Sequence, residues 1–341
     1  MRIMDSGLFD YILPKEMIAQ DPVGERTSSN LLVFNRNGGA IEHRSFHDIA
    51  GYLRKGDVLI LNDSKVFPAR LKAIKDSGGI IDILLVEKLE GKKWHCLANN
   101  MKKGASELIV SIGNIKAKLT QHPDFWIIEF LCEGNDYDVI QQYGQMPLPP
   151  YIKRKEINSI DFERYQTVYA EAEGSIAAPT AGFHFTKELL EKIENIGVNV
   201  VKITLHIGIG TFFLIKNRFI EEHKMHREYY QIDKSVKEYI QSAKEEGRRV
   251  IACGTSVVRT LETAYASNGS TPLNAYTELF IYPGYKFKMV DALITNFHLP
   301  KSTPLLLASA FAGRDSLLKC YSEAIERGYR FYSYGDSMFI I

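Results

Sequence analysis

A chain of 341 residues that is 45% hydrophobic and 24% charged is ordinary globular material, enough for one large domain or two smaller ones. Its formal net charge of +1 excludes a strongly basic protein that coats nucleic acid, yet leaves room for a local basic face, because docking depends on where charges sit. Cys96, Cys132, Cys253 and Cys320 are far apart with no Cys-x-x-Cys pair, and there is no apolar run of signal-peptide or membrane-spanning length, so reduced thiols and a cytoplasmic location are expected.

In chain order, LLVFNR (31–36) and AIEHRSF (40–46) flank Asn37-Gly38-Gly39 and predict a hairpin; DVLILN (57–62) reads as a buried strand. From about Ala69 to Phe130 short β-prone runs follow one another between glycines: RLKAIK, IIDILLVEK, KWHCLA, ELIV, IKAKLT and FWIIEF. Their regular spacing suggests a small barrel or sandwich. The prolines of MPLPPYI (146–152) then mark a boundary, so 69–150 is expected as a β-rich domain inserted into a larger one formed by 1–68 and 151–341.

Beyond the prolines, strands alternate with helices. TKELLEKIENIG (186–197) has a Thr in N-cap position and a Gly stop, and VNVVKITLHI is a strand; SVKEYIQSAKEEG, VIACG and TSVVRTLETAYA continue helix, strand, helix. ELFIYPG, TPLLLASAFAG, DSLLKCYSEAIERG and FYSYGDSMFII complete the series. Alternation of this kind argues an α/β domain with a mixed or barrel-like sheet, in which ligands gather where strands end and helices begin.

Three junctions stand out: APTAGFHFT (178–186), HIGIGTF (206–212) and GTSVVRTLE (254–262). Gly208-x-Gly210 lacks the third glycine of a dinucleotide fingerprint. Gly254-Thr255-Ser256 opens a helix whose free N–H groups suit an anion, with Arg259 one turn further in, although a plain helix cap explains the same residues. His223 and His226 in HKMHREYY could share a helix face, but no third ligand accompanies them and no metal is expected. NFHLPKSTP carries His298 and Lys301 in a proline-rich loop leading to a helix start near Ser302, and Asp336 in YSYGDSM is either a turn residue or a catalytic carboxylate. No P-loop, serine-hydrolase elbow or zinc-finger spacing occurs.

Together, FDYILPKEMIAQDP, GDVLILNDSKVFPARL, MPLPPYIKR, ERYQTVYA, APTAGFHFT, HIGIGTF, EEHKMHREYY, GTSVVRTLE, FIYPGY, DALITNFHLPKST and YSYGDSM closely resemble the S-adenosylmethionine:tRNA ribosyltransferase-isomerase family of queuosine biosynthesis. Two departures are visible: Phe213-Leu214 stands where the family commonly has Arg-Pro, and Gly254-Thr255-Ser256-Val257-Val258-Arg259 where it often reads GTTSVR. The resemblance implies an α/β domain with an inserted β domain. It also implies transfer of the ribosyl part of S-adenosylmethionine to the aminomethyl group of 7-aminomethyl-7-deazaguanine at the tRNA wobble position. The ribosyl group is isomerised on the way, giving epoxyqueuosine in tRNA plus adenine and methionine. S-adenosylmethionine is a co-substrate, and no further cofactor is implied.

That chemistry needs a base for the proton on the carbon beside the sulfonium and an acid for departing adenine. His184 and His206 are the candidates, with Asp336 as a third or as an orienting group. Thr180, Gly182, Phe183, Gly208, Gly210, Thr211, Phe212, Thr255, Ser256 and Arg259 are candidates for binding S-adenosylmethionine, with Phe183, Phe185 and Phe212 as possible ring partners of the sulfonium. Lys102-Lys103 and Lys153-Arg154-Lys155 are the candidate tRNA contacts. Two rival readings are an S-adenosylmethionine-dependent tRNA methyltransferase and a non-catalytic RNA-binding module.

Overall fold

The computed structural model describes residues 3–101, 106–123, 125–153, 159–212, 214–266 and 272–341, without the side chains of 159, 211 and 212. Backbone proximity divides the chain into two units. One comprises Met1–Lys65, Pro150–Arg154 and Arg164–Ile341; the other comprises Val66–Pro149 and Lys155–Glu163.

The larger unit is built on a nine-stranded mixed sheet in the order Asn274–Thr277, Glu228–Gln231, Asn199–Leu205, Val58–Asn62, Val250–Cys253, Ala292–Asn296, Ser337–Ile340, Asn30–Phe34, Ile41–Ser45. DVLILN is apolar along its whole length because it lies at the centre. Val58–Asn62 pairs parallel with Asn199–Leu205 on one side and Val250–Cys253 on the other, and all five of its residues are buried. Its alternate residues feed two cores: Val58 and Ile60 join one cluster, Leu59 and Leu61 the other. The hairpin forms as expected, with Leu32 opposite His43 and Gly39 at φ 71° in the turn. Ser337–Ile340 slots between this hairpin and Ala292–Asn296, parallel to Asn30–Phe34 and antiparallel to the other neighbour.

Local chemistry explains the helix boundaries. The Thr186 hydroxyl accepts from the Leu189 N–H at 3.2 Å to start Lys187–Asn195, and Leu189 and Ile193 are its buried face. Ser302 caps Thr303–Ala312, its Oγ accepting from the Leu305 N–H at 3.4 Å. Thr255–Ala264 follows Gly254, at φ 95° and ψ 153°, and has no side-chain cap. That backbone conformation is essentially reserved for glycine.

Two expectations are corrected. Residues 223–227 are irregular and Glu228–Gln231 is a strand, so His223 and His226 share no helix face. ELFIYPG contributes no strand; the edge strand is Asn274–Thr277 just before it. The irregular stretch that follows it is held by Glu262, whose buried carboxylate accepts from the backbone N–H groups of Lys288 (2.9 Å), Met289 (2.9 Å) and Val290 (3.2 Å). A side chain here supplies the partners that a neighbouring strand would otherwise give.

The smaller unit contains a closed barrel of six antiparallel strands in the order Trp126–Leu131, Lys93–Asn99, Ile80–Lys88, Arg70–Lys75, Glu107–Ile112, Ile115–Gln121. Alternation fills it: Leu71 and Ala73, Ile81, Ile83 and Leu85, Val110 and Ile112 are all fully buried. A helix, Asp136–Tyr143, follows the last strand and was not part of the strand pattern. Asp136 at its first turn takes the Trp94 Nε1–H at 2.6 Å and pairs with Lys88. No helix among the described residues is long and apolar enough to cross a membrane.

Candidate active site

Four neighbouring strands of the large sheet run parallel and end together, at Asn62, Leu205, Cys253 and Asn296. In a sheet of this kind the carboxyl ends of the strands are where a ligand is received. A cleft of about 960 Å³, counted to its open mouth, lies there, lined among others by Thr180, Gly254, Thr255, Ser256, Asn296 and Tyr332.

The uncapped first turn of Thr255–Ala264 borders this space, so its N–H groups and the positive end of the helix dipole are available to an anion. Asn62 fixes the hydroxyl beside them: its Nδ2 donates to Ser256 Oγ at 3.2 Å and to the Leu205 carbonyl at 3.0 Å, while its Oδ1 accepts from the Leu205 and Ser64 N–H groups. Arg259 also borders the cleft, but its guanidinium is occupied. It pairs with Glu228, and it donates to the Leu279 carbonyl at 3.0 Å and the Thr277 carbonyl at 3.3 Å. Glu228 in turn accepts from the Gly208 N–H at 2.8 Å. The pair is 6% and 4% exposed, so it is a neutral, buried brace between the helix and the HIGIGTF loop.

His184 lies behind the cleft wall and touches the cleft through Asn296. Its Nε2 is 3.3 Å from Asn296 Nδ2 and its Nδ1 is 2.7 Å from Ser29 Oγ, which is 3.3 Å from the Arg26 carbonyl. The donor-to-acceptor order assigns the proton to Nδ1: Asn296 donates to Nε2, Nδ1–H donates to Ser29, and Ser29 donates to the Arg26 carbonyl. Burial, and next the nearby Arg26 and Arg330 charges, depress the imidazole pKa to about 3, so the ring is neutral. Asn296 spends its second N–H on the Tyr332 carbonyl at 3.1 Å, and its Oδ1 accepts from Thr180 Oγ1 at 3.5 Å. His184 and Phe183 themselves line a smaller recess with Arg26 and Tyr334.

His206 directly follows the strand Asn199–Leu205 and itself lines neither recess, although its neighbour Ile207 lines the cleft. Burial lowers its pKa, and its Nδ1 is buried with no hydrogen-bond partner among the described residues. Asp336 is fully enclosed and lines neither recess. Its carboxylate accepts from the Asn30 N–H (2.8 Å), Asn30 Nδ2 (3.0 Å) and the Arg330 N–H (2.8 Å), tying the last strand's entry to the hairpin.

Of the other expected residues, Gly182 is small for packing, since a Cβ there would fall 2.0 Å from the Tyr169 hydroxyl. A Cβ on Gly210 would sit 3.1 Å from the His226 ring. The backbone of Thr211 and Phe212 lies in the short turn Ile209–Phe212, and their side chains lie outside the described residues, as do Lys102, Lys103, Arg154 and Lys155. Phe185 is core, edge-on to Phe46. Lys153 is exposed. Asn296, Glu228, Tyr151 and Tyr332 were not singled out from the sequence, although each falls in a quoted block; only the folded partner of each gives it a role. Among the described residues, no group of three or more His, Cys, Asp or Glu side chains is placed to hold a metal ion.

Residues 7–340 match a protein family described as queuosine biosynthesis protein. Among solved structures, the chain is similar to an S-adenosylmethionine tRNA ribosyltransferase from Thermotoga maritima. The identity is 38%, the match covers 98% of this chain and 100% of that one, and the TM-score is 0.56.

Proposed function

The chain belongs to the queuosine biosynthesis protein family, and from that premise we propose that it transfers and isomerises the ribosyl part of S-adenosylmethionine onto a tRNA, releasing adenine and methionine. The full-length match to a ribosyltransferase carries this reading. The acceptor is the aminomethyl group of 7-aminomethyl-7-deazaguanine in the anticodon loop, where a single-stranded base can be turned out into a pocket.

The methionine carboxylate is assigned to the open N–H groups at Thr255 and Ser256. Arg259 supports this end indirectly, by holding Glu228 and through it Gly208. His206, which lines neither recess, is the candidate base on its chemistry alone: a neutral ring whose Nδ1 has no hydrogen-bond partner among the described residues can take a proton without giving up an existing bond. His184, engaged on both nitrogens, acts as a positioning residue that fixes the Asn296 amide between Thr180 and the Tyr332 carbonyl. Asp336 is an orienting group for the segment that carries Tyr332.

Incubating the protein with S-adenosylmethionine and tRNA carrying the 7-aminomethyl-7-deazaguanine precursor tests the reading by chromatography of the spent co-substrate. Adenine and methionine in equal amounts are expected. S-adenosylhomocysteine in their place would make the protein a methyltransferase, and unconsumed S-adenosylmethionine would leave it an RNA-binding module.

A further inference from the structure

Among the described residues, the non-glycine residues with positive φ are Asn100, Lys301 and Tyr332, and of these Tyr332 alone lines the cleft. At φ 75° its backbone occupies the left-handed region, a glycine position that a bulky side chain rarely takes. Surrounding bonds hold it there: its N–H donates to the Phe297 carbonyl at 3.0 Å, and its own carbonyl accepts from Asn296 Nδ2 and from the Gly335 N–H, the latter at 3.0 Å. Strain of this sort persists where the side chain's placement matters.

The ring is braced. Tyr151 meets it edge to face with centroids 3.9 Å apart at 88°, and the Tyr151 hydroxyl is itself anchored on Ser333. Tyr165 continues the same wall, packed edge-on against Phe183 and Tyr334. Burial raises the Tyr332 hydroxyl's pKa, which favours its neutral form. The cleft wall thus carries an aromatic side chain that is packed perpendicular to a second ring and set on a backbone held in a disfavoured conformation.

We propose that Tyr332 is the stacking platform for a planar bicyclic base, either the adenine of S-adenosylmethionine or the 7-deazaguanine turned out of the tRNA. The assignment rests on the ribosyltransferase reading for the identity of those bases. It is tested by equilibrium binding, which does not depend on turnover, so a wild type that binds both ligands but releases no adenine sinks the reaction and leaves Tyr332 to be judged on affinity.

Dissociation constants for S-adenosylmethionine and for an anticodon stem-loop bearing the precursor base are measured for wild type, Tyr332→Phe and Tyr332→Gly, together with melting temperatures. Tyr332→Phe is expected to bind as wild type does. Tyr332→Gly, whose backbone suits positive φ, is expected to melt no lower than wild type yet to lose roughly 5- to 150-fold in affinity for one ligand, the range of a lost base–aromatic stack. The ligand that weakens identifies the base. Unchanged binding of both ligands by Tyr332→Gly, a wild type that binds neither, or a drop of several degrees in melting temperature with both affinities lost equally would overturn the proposal, the last because the ring would then be core packing.

Discussion

The carboxamide of Asn296 joins groups that the sequence keeps far apart, since its two N–H groups reach His184 Nε2 and the Tyr332 carbonyl while its oxygen takes the Thr180 hydroxyl. His184 is engaged at both ring nitrogens, so on the proposed mechanism the base is His206, whose Nδ1 has no hydrogen-bond partner among the described residues. His206→Ala is therefore expected to lower kcat for adenine release roughly 100- to 10,000-fold with little change in the binding of S-adenosylmethionine; a loss smaller than that of His184→Ala would return the role to His184. Buried histidines also set the acid limit of stability. His184 and His298 both fall from 6.5 to about 3 on folding, chiefly through burial. The unfolded chain thus binds protons the folded one refuses, so stability is full above about pH 6.5 and falls as pH drops toward 3, by up to about 1.4 kcal/mol per pH unit for each ring. Melting temperature against pH should flatten in His184→Asn combined with His298→Gln, and slopes identical to wild type would refute the assignment. Arg259→Leu strands the Glu228 carboxylate in a buried site, and a loss of about 3–5 kcal/mol in denaturant unfolding is expected.

The helix Thr255–Ala264 is the element on which the proposed anion site depends. Its start is open because Gly254 takes a conformation closed to other residues, and the chain turns there directly off the strand Val250–Cys253 into the cleft. Gly254→Ala meets no close obstacle, with Ala181 Cβ and Ser256 Oγ each 3.6 Å from the new atom, so its cost is conformational. A loss of about 1–3 kcal/mol is expected, with a raised KM for S-adenosylmethionine as the first turn shifts; an unchanged KM would detach this turn from the substrate. Other helix starts were legible residue by residue: Thr186 and Ser302 each cap as their spacing predicts, because a cap is a contact across three residues. The barrel strands were legible as short β-prone runs between glycines, but their inward face was not, since Ile80 and Leu84 are as apolar as the buried Ile81, Ile83 and Leu85. Asp136–Tyr143 was missed although its start is local, with Asn135 Oδ1 accepting from the Tyr137 N–H at 3.1 Å, because its apolar face is only Val139 and Ile140.

At the scale of the whole molecule, the parallel strands end together near Asn62, Leu205, Cys253 and Asn296, and the cleft opens there, with Gly254 and Asn296 in its wall. On the proposed function, the tRNA would be held by charge outside the cleft. Lys153, exposed and with its backbone N–H fixed by Gln20 Oε1 at 2.7 Å, is the described member of the expected basic clusters. Lys153→Glu should weaken tRNA binding and reduce the slope of log affinity against log salt by about 1, leaving S-adenosylmethionine affinity unchanged; a salt slope equal to wild type would remove Lys153 from the interface. The sequence by itself determined the alternation of strands and helices, the barrel strands, the hairpin, the caps and the family, because each is written in local periodicity or in ordered blocks of residues. Only the tertiary structure decided that Arg259 is occupied by Glu228, that Asp336 is enclosed by three donors, that His184 speaks to the cleft through Asn296 and that Tyr332 stands in a glycine's conformation. Those facts depend on partners separated by tens to hundreds of residues, and a hydrogen bond's direction or a free nitrogen valence exists only once both partners have been brought together.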